Sequence, residues 1–329
     1  MERIAYISAG VPVYFNGIVL AIAAAGAMCF FLAFYLNRSE NFSAGFAALP
    51  LSLGLSIVFS RLCHWYARPD GYTGFLAAMT DYTSGDYALM GAFFGCFLAA
   101  LLLRLVRLSR SLPEMLDSMS IGGAAGISVG RLAAFFGTAD RGQVVKLQFL
   151  PFASPVVNAV SGATEYRFAT FLYQSVFALI LFLCLARFYL KNSKRRSYRN
   201  GDAALLFLLW YCASQVVLDS TRYDSLFFRW NGFVSIVQVL SAIAIVLVIV
   251  VFSSRLVKNR GFQVWYLGAW ALIAGGIGLA GFMEYYVQRH GNAALFAYTL
   301  MSLSLVLTAG LTVLLYKAGR KREKLHHSL

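Results

Sequence analysis

The chain has 329 residues, of which 60% are hydrophobic, 16% aromatic and only 13% charged, with a formal charge of +14 at pH 7 and a mean hydropathy of +0.68. Soluble domains carry roughly 25% charged residues, so the composition excludes a water-facing globular enzyme, and its aromatic content excludes a disordered chain. It describes an integral membrane protein with several spans.

A spanning helix needs about 20 mainly apolar residues. Such runs lie near residues 12–36, 43–66, 86–107, 115–137, 168–190, 203–220, 233–254, 264–286 and 293–316, which predicts an all-α polytopic transmembrane helix bundle of about nine spans. The first run is longer than a signal-peptide core and lacks a basic flank, so a retained span is expected there. The fourth run carries Gly122, Gly126 and Gly130 at intervals of four, a small-residue face suited to close helix approach, and ends at Arg131. Between the fourth and fifth runs, residues 138–167 mix Gly, Pro, Val, Phe and Thr and read as a folded loop or a partial amphipathic segment. The run Lys191 to Arg199 reads as a hydrated loop.

Lys and Arg collect on the cytoplasmic side of membrane proteins. With the N-terminus outside and the C-terminus inside, eighteen of the 28 basic residues fall on the inner side and eight on the outer, including inner clusters at Arg104, Arg107 and Arg110 and at Lys317 to Lys324. Most acids lie on the outer side. The net basicity is therefore assigned to topology and anionic membrane lipids, not to nucleic acid. Five cysteines without CxxC spacing imply neither a disulfide framework nor a metal site, and no cofactor is expected.

Two arginines at or near membrane depth carry the most information. An arginine in a span costs about 2.5–3.5 kcal/mol to insert, so it turns toward the bundle interior and a partner. Arg131 stands at the end of the glycine-lined helix, and its planar guanidinium suits a phosphate diester; the alternative is a structural ion pair with an acid such as Asp219 or Asp86. Arg61 precedes His64 by one turn, on one helix face. His64 is either an interfacial structural residue or a base.

Several elements resemble the bacterial prolipoprotein diacylglyceryl transferases. The family's Gly-Arg-x-Gly-Asn-Phe-x-Asn-x-Glu-x-x-Gly is similar to the stretch from Gly130 and Arg131 through Phe135 to Gly142, which keeps Gly, Arg, Phe and the last Gly. The family's Arg-His-Pro-Ser-Gln-Leu-Tyr-Glu resembles Arg167 to Gln174 in Arg167, Leu172 and Tyr173. Its Arg-Phe-x-x-Glu-x-x-Arg aligns on Gln215 to Arg222, with Asp219 at the Glu position, and further elements resemble Val237 to Ser241 and Ser60-Arg61-Leu62. Order and spacing hold across roughly residues 60–254.

The resemblance implies a seven-helix transferase-like body, here residues 1–260, followed by two additional transmembrane helices and a basic cytoplasmic tail in 261–329. It implies residence in the bacterial plasma membrane, a phosphatidylglycerol-like phospholipid donor and a preprolipoprotein signal segment as acceptor. The implied reaction moves a diacylglyceryl group onto a lipobox cysteine thiol. Arg131 becomes the foremost phosphate ligand, with Arg222 and Arg61 beside it, Tyr173 bonding the headgroup, and Arg167, Asp219 and Gly142 completing the binding set. Where the family has a functional His the chain has Asp86, which, with His64, is a candidate base. The signature's Asn and Glu are replaced by Ala134 and Ala139, and a second arginine by Gln215. Asp140, one position beyond the missing Glu, can supply its charge. Two readings follow: a divergent transferase, or a homologue without catalysis that binds phospholipid or a lipoprotein signal segment for a partner.

Overall fold

The computed structural model describes residues 4–8, 11–39, 41–80, 87–137, 139–157, 162–194, 198–229, 231–291 and 293–321. Among these, eight helices are long and apolar enough to cross a membrane, and a ninth apolar helix is shorter. The multi-pass all-α bundle read from the sequence is the observed architecture. Chain-order elements are the hairpin β1 (Ile4–Ser8) and β2 (Val11–Tyr14), α1 (Phe15–Ser39), α2 (Phe42–Ala67), the short α3 (Phe75–Thr80), α4 (Leu89–Leu105) and α5 (Leu112–Gly130). A 3₁₀ turn, Arg131–Phe136, follows, then the hairpin β3 (Ala153–Val157) and β4 (Thr164–Phe168), α6 (Thr170–Asn192), α7 (Asp202–Ser220), the hairpin β5 (Phe227–Phe228) and β6 (Asn231–Ser235), and α8 (Ile236–Arg260), α9 (Trp265–His290) and α10 (Ala294–Lys321).

The chain divides into two compact units. The first holds residues 1–194, 199–207 and 221–236, and the second holds 195–198, 208–220 and 237–329. In the first, the glycines act by permitting contact. A Cβ on Gly122 would stand 2.4 Å from the Ala27 carbonyl oxygen of α1, and one on Gly91 would stand 2.2 Å from that of Phe59 in α2. The small face of α5 thus seats against α1, as its spacing of four predicts, and α4 lies backbone to backbone on α2. Phe31, Tyr35 and Met115 form a buried core among α1, α2, α4 and α5.

The N-terminus of α7 is capped from another helix. Fully buried Asp117 of α5 accepts hydrogen bonds from the Gly201 and Ala204 amides, both at 2.8 Å. Those amides would otherwise be orphaned donors in a buried place. Gly201 reaches this geometry at φ +97°, a region that favours glycine.

In the second unit α9 and α10 pack as an antiparallel pair joined through Gly291 in the left-handed conformation, a common helix stop. Leu256, Tyr266, Ile273 and Leu315 form its buried core, and a Cβ on Gly276 would lie 2.3 Å from the Thr308 hydroxyl. The Trp270 indole of α9 donates to Ser253 Oγ of α8 at 3.0 Å, a polar bond between helices beside the apolar seam.

Helix ends deviate from the sequence reading by a few residues, up to about one or two turns. The first span starts at Phe15 rather than near 12, because the residues before it pair as an antiparallel hairpin, Ile4 with Tyr14 and Ser8 with Val11. The third expected span, α4, covers 17 residues, 89–105, inside the expected 86–107. The loop expected at 138–167 is folded: β3 and β4 pair in register from Ala153–Phe168 to Val157–Thr164.

Candidate functional site

Arg131 stands where α5 tightens into the 3₁₀ turn, and it is 9% exposed. The chain then turns back on itself around Arg141. That side chain is 3% exposed, and its guanidinium donates to the carbonyls of Ala134, Gly137 and Pro155 at 2.9, 2.8 and 2.8 Å and to Ser154 Oγ at 2.6 Å. It also lies 5.7 Å from the Phe171 ring centroid. A guanidinium offers five donors in a fixed fork. Here four bonds from that fork tie the turn after α5 to β3.

Beyond Arg141 the strand-like segment 142–145 runs between two others. The Gly142 amide donates to the Phe168 carbonyl at 2.7 Å, and the Tyr223 amide donates to the Arg141 carbonyl at 3.1 Å. Gly142 pairs antiparallel with Arg222, and Val144 with Arg167. A Cβ at position 142 would lie 2.8 Å from Phe168 Cβ and 2.9 Å from the Thr221 carbonyl oxygen. Glycine is therefore required by close approach on both sides, which gives the Gly142 of the sequence motif a structural role.

This ladder brings Arg131 and Arg222 to one carboxylate. Asp140, at φ +59°, places a single oxygen, Oδ1, 2.6 Å from Arg131 Nη1 and 3.0 Å from Arg222 Nη2. Arg222 Nε in turn donates to Asp224 Oδ1 at 3.0 Å, and the other oxygen of Asp224 accepts from the Asp140 amide at 2.9 Å. Burial works to raise the Asp140 pKa, but the two guanidiniums outweigh it and hold the carboxyl at about 2. Asp140 is ionised at neutral pH. An acid at Arg131 is thus Asp140, 9 residues on.

A second group lies on the last turns of α2. His64, 9% exposed, has Nδ1 3.0 Å from the Tyr72 hydroxyl. Arg61 is 3% exposed, with its guanidinium carbon 5.8 Å from the Tyr72 ring centroid and 5.1 Å from that of Tyr87, distances at which a cation is attracted to an aromatic face. The Ala88 amide donates to the Ser60 carbonyl at 3.2 Å, so the chain just after Asp86 is docked beside Arg61. Asp86 itself lies outside the described residues. Arg68, at the end of the same helix, donates to the Asp224 carbonyl at 3.0 Å and ties this group to the Asp140 network.

Of the remaining expected residues, Arg167 pairs with Glu165 at 2.9 Å and lies 4.3 Å from the Tyr223 ring centroid. Tyr173 is partly exposed and stacks on Phe168 at 5.0 Å. Asp219 is buried near the C-terminal end of α7, in the second unit. The structure therefore gathers Arg131, Arg222, Gly142, Arg167 and Tyr173 around one small sheet, and holds Arg61 and His64 in an aromatic group beside it. Arg141, Asp224 and Tyr72 escaped the sequence reading. Among the described residues no group of three or more His, Cys, Asp or Glu is placed to hold a metal ion.

A family model described as prolipoprotein diacylglyceryl transferase matches residues 4–254. The chain belongs to the prolipoprotein diacylglyceryl transferase family. Among its named relatives, the phosphatidylglycerol–prolipoprotein diacylglyceryl transferase of Lactobacillus delbrueckii subsp. bulgaricus is 27% identical over 189 residues, covering 56% of this chain and 65% of the relative. The match thus spans under two thirds of that relative's length. The protein of the same description from Listeria monocytogenes serotype 4a is 24% identical over 261 residues, 78% of this chain and 91% of the relative. That from Streptococcus pneumoniae is 30% identical over 200 residues, 59% of this chain and 73% of the relative. For this family member the Asp140 network and its ladder lie inside the matched region, whereas α9 and α10 lie beyond it.

Proposed function

We propose that the protein transfers the diacylglyceryl group of a phosphatidylglycerol-like lipid to the cysteine thiol of a prolipoprotein, at the outer face of a bacterial plasma membrane, with its N-terminus outside and C-terminus inside. Residues 1–260 would carry the reaction, and 261–329 would be an addition to it. The carrying observation is the single Asp140 oxygen bracketed by Arg131 and Arg222. Two guanidiniums fixed at that spacing suit one oxygen of a phosphate, and an entering phosphodiester would take up or share the place of that carboxylate oxygen.

The reaction needs a thiolate and a stabilised leaving group. Sulfur bonds to the diacylglyceryl carbon that carries the phosphate ester, the C–O bond breaks, and its electron pair leaves on the oxygen of glycerol phosphate. Negative charge growing on that phosphate is met by the paired arginines in a low-dielectric site. The thiol proton passes to a base, for which Asp86 and His64 are the candidates. Arg61 supports His64 through the shared Tyr72 ring, while Arg167, Tyr173 and Gly142 shape the headgroup wall. Asp219 stays a binding residue on the strength of the sequence resemblance alone.

A second reading is favoured by one specific feature: Asp140 and Asp224 together neutralise Arg131 and Arg222. Such a cluster suits a relative that holds phospholipid or a lipoprotein signal segment without turnover. Purified protein with phosphatidylglycerol and a lipobox peptide separates the two. Peptide lipidation that disappears in Arg131→Ala supports transfer. Absence of lipidation, with bound phospholipid that disappears in the same variant, supports binding only.

A further inference from the structure

At the opposite end of α5 from Arg131 lies an open polar cavity of about 520 Å³, contained in the first unit. The 19 residues of α5 span roughly 28 Å at about 1.5 Å per residue, close to the thickness of a bilayer's hydrocarbon layer. The cavity therefore sits at headgroup depth on the other membrane face. Its walls come from the end of α1, the start of α2, the start of α5 and the end of α6, and they carry Arg38, Arg110 and Lys194 against one carboxylate, Glu114.

Arg38 is held in position. Its Nη1 donates to the Ser193 carbonyl and its Nη2 to Asn200 Oδ1 at 2.6 Å, while Nε stands 3.9 Å from Glu114. Arg110 and Lys194 are exposed at the rim. Ser111, the residue that caps α5, lies in the same wall and sets the positive end of the helix dipole there. One fixed guanidinium, two exposed cations and a positive helix end face the hollow against the single carboxylate of Glu114, a net positive charge that an entering anion offsets. The volume lies within the ordinary range of small-ligand sites, about 300–1,000 Å³. We propose that this cavity binds a phosphate-bearing ligand, supplied as the headgroup of an anionic phospholipid or as a soluble phosphate ester, independently of the Asp140 network.

The test uses the full-length protein in detergent and the double variant Arg110→Glu/Lys194→Glu. Both side chains are exposed, and Arg110→Gln/Lys194→Gln serves if charge reversal impairs folding. Native mass spectrometry with phosphatidylglycerol against phosphatidylcholine counts retained lipid; sn-glycerol 3-phosphate titrated onto delipidated protein reads a Tm shift. A headgroup ligand predicts one fewer retained phosphatidylglycerol in the variant, while Lys258→Glu, an exposed reversal in the second unit, keeps the wild-type count. A soluble ester predicts an unchanged lipid count with glycerol phosphate binding about tenfold weaker, the loss of roughly one charge-assisted contact. Wild-type behaviour in both measurements overturns the site, as does an equal loss in Lys258→Glu, which would reduce it to general attraction by surface charge.

Discussion

Replacing Asp140 with Asn tests the network most directly. Its carboxyl is held at about 2 against an ordinary value of 3.8. At about 1.36 kcal/mol per pH unit this difference represents roughly 2.5 kcal/mol of stability carried by the ionised form. Because the folded value is the lower one, the contribution is present in full above about pH 5 and disappears as pH falls through about 2. The side chain is only 22% exposed, so solvent screening removes little of it. Asp140→Asn also leaves two guanidiniums side by side, and the loss of one partner from a buried pair costs about 3–5 kcal/mol. We therefore expect a destabilisation of about 2–4 kcal/mol at pH 7, narrowing to roughly half that at pH 3, where the wild type has already lost part of the same interaction. Thermal unfolding in detergent, followed by tryptophan fluorescence at both pH values, measures the gap. A variant with wild-type Tm at pH 7, or a gap that widens toward pH 3, would falsify the assignment of Asp140 as the common anchor.

Gly142→Ala should destabilise by about 1–3 kcal/mol, since the added methyl meets Phe168 and the Thr221 carbonyl below 3 Å; unchanged Tm and unchanged proteolysis of the 138–168 loop would refute the close-approach reading. Asp117→Ala should cost about 1–2 kcal/mol by stranding two amides at the start of α7, and hydrogen exchange at residues 201–204 should rise with it. Under the transfer reading, one of Asp86→Asn and His64→Gln lowers lipidation by about 10²-fold or more while the other keeps most of the rate; full rates in both variants remove both residues from the base role.

The helices were largely legible because lipid imposes a simple rule: a backbone in hydrocarbon bonds to itself, over a length set by the bilayer. The glycines of α5 were legible for a related reason, since residues four apart share a helix face. Arg131 could be singled out because its depth is costly. Its partner could not be read in the same way. Asp140 and Asp224 are 84 residues apart and meet only because three loop segments form a ladder, for which neither helical nor strand periodicity gives notice. Arg141 looked like an ordinary loop cation, since nothing local reveals that its acceptors come from both the turn before it and a strand after it. The resemblance did bring positions 131, 142, 167, 173 and 222 onto one page of the sequence, and Asp140 was suggested by its adjacency to a lost acid. The hairpin ahead of α1 was hidden by its own apolarity, which blends into the first span.

The way Arg141 is anchored has a consequence for how freely this loop can drift. Three of its four acceptors are main-chain oxygens, including that of Ala134, one of the two alanines that stand where the family pattern has a polar residue. A peptide oxygen is present whatever side chain the residue carries. The scaffold of the turn is thus insulated from the identity of its residues, and polar groups there can be exchanged for alanine while the curve of the chain stays the same.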